Sequence, residues 1–128
     1  MTQAQPLILV VDDEKDIVDI ICELLQGAGF TTISANDGKQ ALEQLTKKHP
    51  SLIVLDIKMP VLDGLEVIRR MRSDPQFKRT PVVVLTATQV IHEAKEQFQQ
   101  FGVAKWIAKP FDPNDLLDAV HKALQGGG

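Results

Sequence analysis

Four short runs of unbroken apolar residues, with a fifth β-branched segment, constrain this chain more than any other feature. The first, Leu7-Ile8-Leu9-Val10-Val11, is strand-sized and apolar at every position. Such a strand has no polar face to show water, so it must be covered on both sides. Leu52-Ile53-Val54-Leu55, Val82-Val83-Val84-Leu85 and the shorter Trp106-Ile107-Ala108 repeat the pattern, and Thr31 to Ala35 is a β-branched strand candidate. Segments with helical spacing alternate with them. Ile17, Ile20, Ile21, Leu24, Leu25 and Ala28 outline a first helix closed by Gly27 and Gly29. Ala41, Leu42 and Leu45 mark a second, and Leu65, Ile68 and Met71 a third entered through the turn Asp63-Gly64. Ile91, Ala94, Phe98 and Phe101 outline a fourth. A last helix starts with Asp112 as N-cap and Pro113 at its first turn, with Leu116, Leu117, Val120 and Leu124 inward. Five βα units in succession predict a parallel α/β sheet with helices on both faces, and right-handed crossovers leave few topologies.

Length and composition fit one such domain. The chain has 128 residues, 44% of them hydrophobic, enough for a sizeable core. The expected division is a single domain over 1–128, its core from about 7 to 124, with 1–6 and 125–128 as flexible ends. The tail Gly126-Gly127-Gly128 carries no chemistry. Fourteen basic residues against seventeen acidic ones give a formal charge of −3, without the basic stripe of a nucleic-acid-binding domain. The apolar runs are too short to span a membrane, and no basic-then-apolar leader opens the chain, so the cytoplasm is the expected compartment. One cysteine, Cys22, excludes an internal disulfide and reads as a buried inert thiol. His49, His92 and His121 lie in separate elements without ligand spacing and read as solvated surface residues.

The chemistry collects at the strand ends. In parallel sheets of this kind, ligands bind beyond the carboxyl ends of the strands. Strand one ends in Asp12-Asp13-Glu14, strand three in Asp56, strand four in Thr86, and strand five in Lys109-Pro110. Strand two ends in Ala35-Asn36-Asp37, which reads as helix capping. Each residue alone has an ordinary explanation: Asp12 or Asp13 as a cap, Asp56 as a turn former, Thr86 as a strand-end threonine, Lys109 as a snorkelling surface lysine. Their agreement on one rim does not. Converging aspartates repel each other and call for a counter-charge. Mg²⁺ prefers a few carboxylates with retained waters, where phosphates are handled. An aspartate can also serve as nucleophile and form an aspartyl-phosphate. Mg²⁺ and Lys109 would then neutralise phosphoryl oxygens, and Thr86 would hydrogen-bond one of them.

The motifs VVDDE at 10–14, VLDIKMPVLDG at 54–64, VLTAT at 84–88 and KPF at 109–111, in that order and spacing, resemble the receiver domains of response regulators in two-component signalling. The resemblance runs from Leu7 to about Leu124. It implies a flavodoxin-like, doubly wound, five-stranded parallel sheet in the order 2-1-3-4-5. It implies Asp56 as phosphoacceptor, Asp13 as direct Mg²⁺ ligand, Asp12 acting partly through water, and the backbone carbonyl of Lys58 as a further ligand. Thr86 and Lys109 would hold the phosphoryl group, and Lys109-Pro110 would be a cis peptide. The donor would be a histidine kinase or histidine phosphotransfer protein, and the module would self-phosphorylate rather than turn over substrate. The fourth helix, fifth strand and last helix would form the switching surface, a surface that could also serve as a homodimer interface. Trp106 stands where the family usually carries Tyr, Phe or His as a rotating switch residue. Lys58 and Thr88 occupy the positions that influence access of the hydrolytic water.

Three rivals make different demands. An aspartate-nucleophile phosphatase needs a second Asp two residues after the first, and position 58 is Lys. A flavin carrier needs a Ser/Thr/Gly-rich phosphate loop where Asp12-Asp13-Glu14 would repel a phosphate. A receiver-like module that only binds partners has no need of a complete acidic site.

Overall fold

A computed structural model describes residues 5–126, leaving out the side chain of Phe98. Of the expected flexible ends, 1–6 and 125–128, residues 1–4 and 127–128 lie outside the described residues, and Gln125 is the last residue of a helix. Ten elements alternate as expected: β1 (Leu7–Val11), α1 (Lys15–Gly27), β2 (Thr31–Ala35), α2 (Gly38–Lys48), β3 (Leu52–Leu55), α3 (Gly64–Ser73), β4 (Val82–Ala87), α4 (Thr88–Phe98), β5 (Lys105–Lys109) and α5 (Pro113–Gln125). The five strands form one parallel sheet in the order β2-β1-β3-β4-β5, the flavodoxin-like arrangement the motifs implied.

The unbroken apolar runs are explained by where alternate residues go. On one face Leu9, Val11, Ile53, Leu55, Val82 and Val84 pack with Ala41 and Leu45 of α2, Val67, Ile68 and Met71 of α3, and Ala94 of α4. On the other, Ile8, Val10, Leu52, Val54, Val83 and Leu85 pack with Val18, Ile21 and Leu25 of α1 and Leu116 and Val120 of α5. Both faces are dry, so period-two alternation brings no polar residues with it.

Helix starts follow their caps. Asp37 accepts the Gln40 N–H at 2.8 Å, Asp63 the Glu66 N–H at 3.0 Å, and Asp112 the Asn114 N–H at 2.8 Å with Pro113 in the first turn. Gly29, just past α1, takes φ 96, a conformation that favours glycine.

Several expectations need correction. Ile20, assigned to the inward stripe of α1, is 48% exposed, whereas Val18, not assigned to it, is buried. The fourth helix stops at Phe98, and Phe101 belongs to a short 3₁₀ turn, Gln99–Phe101. Ile91 is only half-buried, and Ala94 is the buried residue of α4 among those described. The reason is position: α4 covers the β4–β5 edge rather than the sheet centre, and a narrower stripe suffices. Cys22 is half-buried, not buried, and its thiol hydrogen-bonds Thr32 while burial pushes its pKa up. His49, His92 and His121 are exposed as expected. The His49 ring also stacks on Phe77 at 5.6 Å, and that of His121 lies 5.2 Å from Phe30. No helix among the described residues is long and apolar enough to cross a membrane.

Candidate functional site

The chain leaves β1 toward β2 on one side and returns to β3 on the other, so the crevice between the carboxyl ends of β1 and β3 is the topological switch point. Backbone pairing continues one residue beyond both strands. The Asp12 N–H donates to the Ala35 carbonyl at 3.3 Å, and the Asp56 N–H to the Val11 carbonyl at 3.0 Å. The sheet thus fixes where both aspartates begin. Thr86 lies within β4, one residue before its end, and Lys109 closes β5. Lys109-Pro110 is cis, as expected.

These side chains meet. The Lys109 ammonium donates to Asp12 Oδ2 at 2.7 Å, Asp56 Oδ2 at 3.1 Å and Glu14 Oε1 at 3.4 Å. Asp56 Oδ1 accepts from the Thr86 hydroxyl at 2.6 Å and from the Ile57 N–H at 2.6 Å. Asp12 Oδ1 accepts the Glu14 N–H at 2.9 Å. Asp12, Asp56 and Thr86 are buried, whereas Asp13, Glu14 and Lys58 are exposed. Asp12 does not cap α1 from the N-cap position. Glu14 stands there, without a side-chain cap bond.

The charges do not balance. Four carboxylates, those of Asp12, Asp13, Glu14 and Asp56, gather around one ammonium. Burial alone would lower the Lys109 pKa, yet hydrogen bonds and charge from Asp12 and Asp56 outweigh it and hold the ammonium well above the ordinary lysine value. Burial raises the Asp12 carboxyl, and the Lys109 and Glu14 hydrogen bonds offset this only in part while the Asp56 charge adds to it. Burial thus dominates at Asp12, and the two carboxylates that Lys109 touches dominate at Lys109. Asp12, Asp13 and Asp56 each present a carboxylate oxygen, all within 4.8 Å of one another. An all-oxygen, carboxylate-rich donor set at that spacing fits a hard divalent cation.

The residues predicted from the strand ends, Asp12, Asp13, Asp56, Thr86 and Lys109, all reach this rim; Trp106, expected from the resemblance as the switch residue, has another place. Trp106 lies half-buried on β5, packed on the cluster that contains Ala94 of α4. Its neighbour Ile107 faces the opposite core. Glu14, quoted within a motif but given no role, is a third partner of Lys109. Sequence reading also missed the glycines. A Cβ on Gly64 would overlap the Asp56 carbonyl oxygen and lie 2.9 Å from Ile57 Cα. Asp63-Gly64 announced a turn, but the need for space appears only once the backbones meet.

Comparison with known proteins gives a consistent result. The family described as the response regulator receiver domain matches residues 8–121. The sporulation initiation phosphotransferase F of Bacillus subtilis is 38% identical over 120 residues, covering 91% of this chain and 92% of the relative. The alkaline phosphatase synthesis transcriptional regulatory protein PhoP of the same organism is 37% identical, and the aligned region spans only 48% of that longer relative. Among solved structures, the Vibrio cholerae chemotaxis protein CheY4 superposes with a TM-score of 0.85 at 33% identity, over 93% of this chain and 98% of that one. The receiver domain of a Pseudomonas aeruginosa sensor histidine kinase, solved with magnesium coordinated in its active-site cleft, matches with a TM-score of 0.85 at 28% identity, over 95% and 99% of the two chains.

Proposed function

The chain belongs to the response regulator receiver family, and on that premise we propose that Asp56 is the residue that takes the phosphoryl group. Receiver domains are phosphoacceptors in two-component phosphorelays, partnered by histidine kinases or histidine phosphotransfer proteins, and they bind Mg²⁺ at an acidic pocket. The observation that carries the assignment is the set of contacts on Asp56: a buried carboxylate at the switch point, held by the Thr86 hydroxyl, the Ile57 N–H and the Lys109 ammonium.

In the proposed step, Asp56 attacks phosphorus. An O–P bond forms as the donor's N–P bond breaks, and the departing imidazole keeps the electron pair. The carboxylates of Asp12, Asp13 and Asp56 and the backbone carbonyl of Lys58 would hold Mg²⁺. When bound, Mg²⁺ supplies charge neutralisation for the phosphoryl oxygens. Lys109 already touches Asp56, so it can pass to a phosphoryl oxygen with little displacement. Thr86 can turn its hydroxyl from Asp56 to a second oxygen. The chain undergoes one phosphorylation and one hydrolysis per signal and is not a turnover enzyme. We place it in the cytoplasm, without direct nucleic-acid contact.

Lys109 and Thr86 both bear on the β4–β5 edge, so their movement would shift the α4–β5–α5 surface. A groove of about 1570 Å³ runs along this edge, lined in part by Lys105, Trp106, Asp115, Asp118 and Lys122. Its mixed charges suit either a signalling partner or a second copy of the chain. Trp106 is the sole tryptophan, so its emission should change when beryllofluoride and Mg²⁺ occupy the site.

The decisive experiment is incubation with Mg²⁺ and a small phosphodonor, followed by intact mass. One added phosphate, absent in Asp56→Asn, is expected. No added phosphate refutes the assignment and leaves a module that only binds partners; addition that survives Asp56→Asn refutes it by moving the acceptor to another residue.

A further inference from the structure

The loop joining β3 to α3 is held from two sides by backbone contacts that only glycine permits. At its end, the Gly64 N–H donates to the Ile57 carbonyl at 2.9 Å, where a Cβ would overlap the Asp56 carbonyl oxygen. In its middle, the Gly38 N–H donates to the Leu62 carbonyl at 3.1 Å. A Cβ on Gly38 would overlap that same carbonyl oxygen and lie 2.8 Å from both the carbonyl carbon and Cβ of Leu62. Gly38 is the first residue of α2, so its N–H is one of the donors a helix leaves without an internal partner.

Between these anchors the backbone is strained. The Leu62 N–H donates to the Pro60 carbonyl at 2.7 Å, closing a γ-turn with Val61 at its centre and φ 70. This turn is rare, and a β-branched residue is an outlier in it. Val61 is 74% exposed, so burial of its own side chain does not compensate. The surrounding structure must hold the turn: Met59 and Leu62 pack against the core, and α2 adds a backbone hydrogen bond to the Leu62 carbonyl, next to the turn.

We propose that Gly38 is a positioning residue for the Mg²⁺ site. Through the Leu62 carbonyl it holds the β3–α3 loop in the strained conformation from which Lys58 offers its backbone carbonyl. The inference rests on the reading of the acidic rim as a Mg²⁺ site. It gives α2, which contributes no ligand, a direct mechanical link to the loop that follows the phosphoacceptor.

Calorimetric Mg²⁺ titration and thermal melts of four variants test it. Gly38→Ala must push the Leu62 carbonyl away and should weaken Mg²⁺ roughly tenfold, as loss of outer-shell support does. Ala41→Gly removes a fully buried methyl from the same helix and leaves the contact intact, so it should lower Tm without changing Mg²⁺ affinity. Val61→Gly relieves the strain at φ 70 and leaves the Gly38 contact intact, so it should keep Mg²⁺ affinity and Tm close to the parent's. Asp13→Ala checks the underlying site. A parent chain that binds no Mg²⁺, or binds it equally after Asp13→Ala, overturns the site reading and this inference with it. A parent that binds beside a Gly38→Ala chain of equal affinity overturns this inference alone. So does an Ala41→Gly chain that loses affinity as much as Gly38→Ala, because the effect is then one of stability. If Gly38→Ala does not fold, the Gly38→Ala, Val61→Gly double variant decides, because its freed turn can follow the displaced carbonyl: Mg²⁺ affinity equal to that of Val61→Gly alone rejects the proposal.

Discussion

Replacing Lys109 by methionine should destabilise the metal-free protein severely, and Mg²⁺ should restore much of the loss. The ammonium lies 2.7 Å from Asp12 and 3.1 Å from Asp56, with side-chain exposures of 16%, 3% and 7% for Lys109, Asp12 and Asp56. Removing one partner of a buried ion pair costs about 3–5 kcal/mol, because it leaves buried charge uncompensated. The open rim admits water, so the lower end, about 3 kcal/mol, applies here. For a chain of this length that is a fall in Tm of about 10 °C. Methionine matches the lysine stem, so packing changes little. A ligand bound only by the folded state at one hundred times its Kd adds about 2.7 kcal/mol. Mg²⁺ that relieves unopposed carboxylate repulsion should therefore raise the variant's midpoint more than the parent's. Urea unfolding with and without Mg²⁺ measures both effects, with Lys39→Met as the exposed-lysine control. Parent-like stability without metal would show that the carboxylates do not need this cation. A loss that Mg²⁺ leaves untouched would show that the cation site is elsewhere.

Thr86→Val removes the hydroxyl that donates to Asp56 at 2.6 Å. Urea unfolding should show a loss of about 1.5 kcal/mol, at the low end for a bond to a charged acceptor because the Ile57 N–H still serves that oxygen. Its phosphorylation by a small donor, followed by mass, should also slow. The half-buried Arg72 donates to the carbonyls of Phe77, Lys78, Thr80 and Phe101 at 2.7–3.2 Å. Arg72→Met should lower stability by about 2 kcal/mol and speed amide exchange over 77–80. Arg72→Lys should not rescue it, because a point ammonium lacks the guanidinium fork. Lys58 and Thr88 are both exposed beside the site. Lys58 is long enough to shield a phosphoryl group and Thr88 offers no carboxylate or amide to position water, so the aspartyl-phosphate should decay more slowly than in a Lys58→Asn, Thr88→Glu double variant. Equal decay after donor removal would sink that reading.

The sheet was legible because burial on both faces writes itself into sequence without ambiguity. Leu7 to Val11 can be nothing but a doubly covered strand or a helix fragment, and five residues are too few for the latter. Edge elements were harder. Ile20 sits at helical spacing with Ile17 and Leu24, and periodicity cannot say that the stripe on α1 stops short of it. Phe101 follows Phe98 at a spacing of three, which an α-helix and a 3₁₀ turn share.

The site divides along the same physical line. Residues that act through charge were legible, since carboxylates and an ammonium at strand ends are costly anywhere else and the topology brings those ends together. Residues that act through shape were not. Ala35-Asn36-Asp37 read as helix capping, and Asp37 does cap α2, but Gly38 beside it carried no signal of its own. That Gly38 also has to let a carbonyl from another loop approach its backbone depends on a packing distance that no local pattern encodes. The same holds for Val61. Valine carries no signal for a left-handed turn, and a residue whose intrinsic preference opposes its conformation becomes visible only when the surrounding backbone is known. Where local preference and observed conformation disagree beside a charged rim, the disagreement itself points to function. Glycine at position 61 would be the cheaper choice for folding, so the strain is informative about what the loop must present.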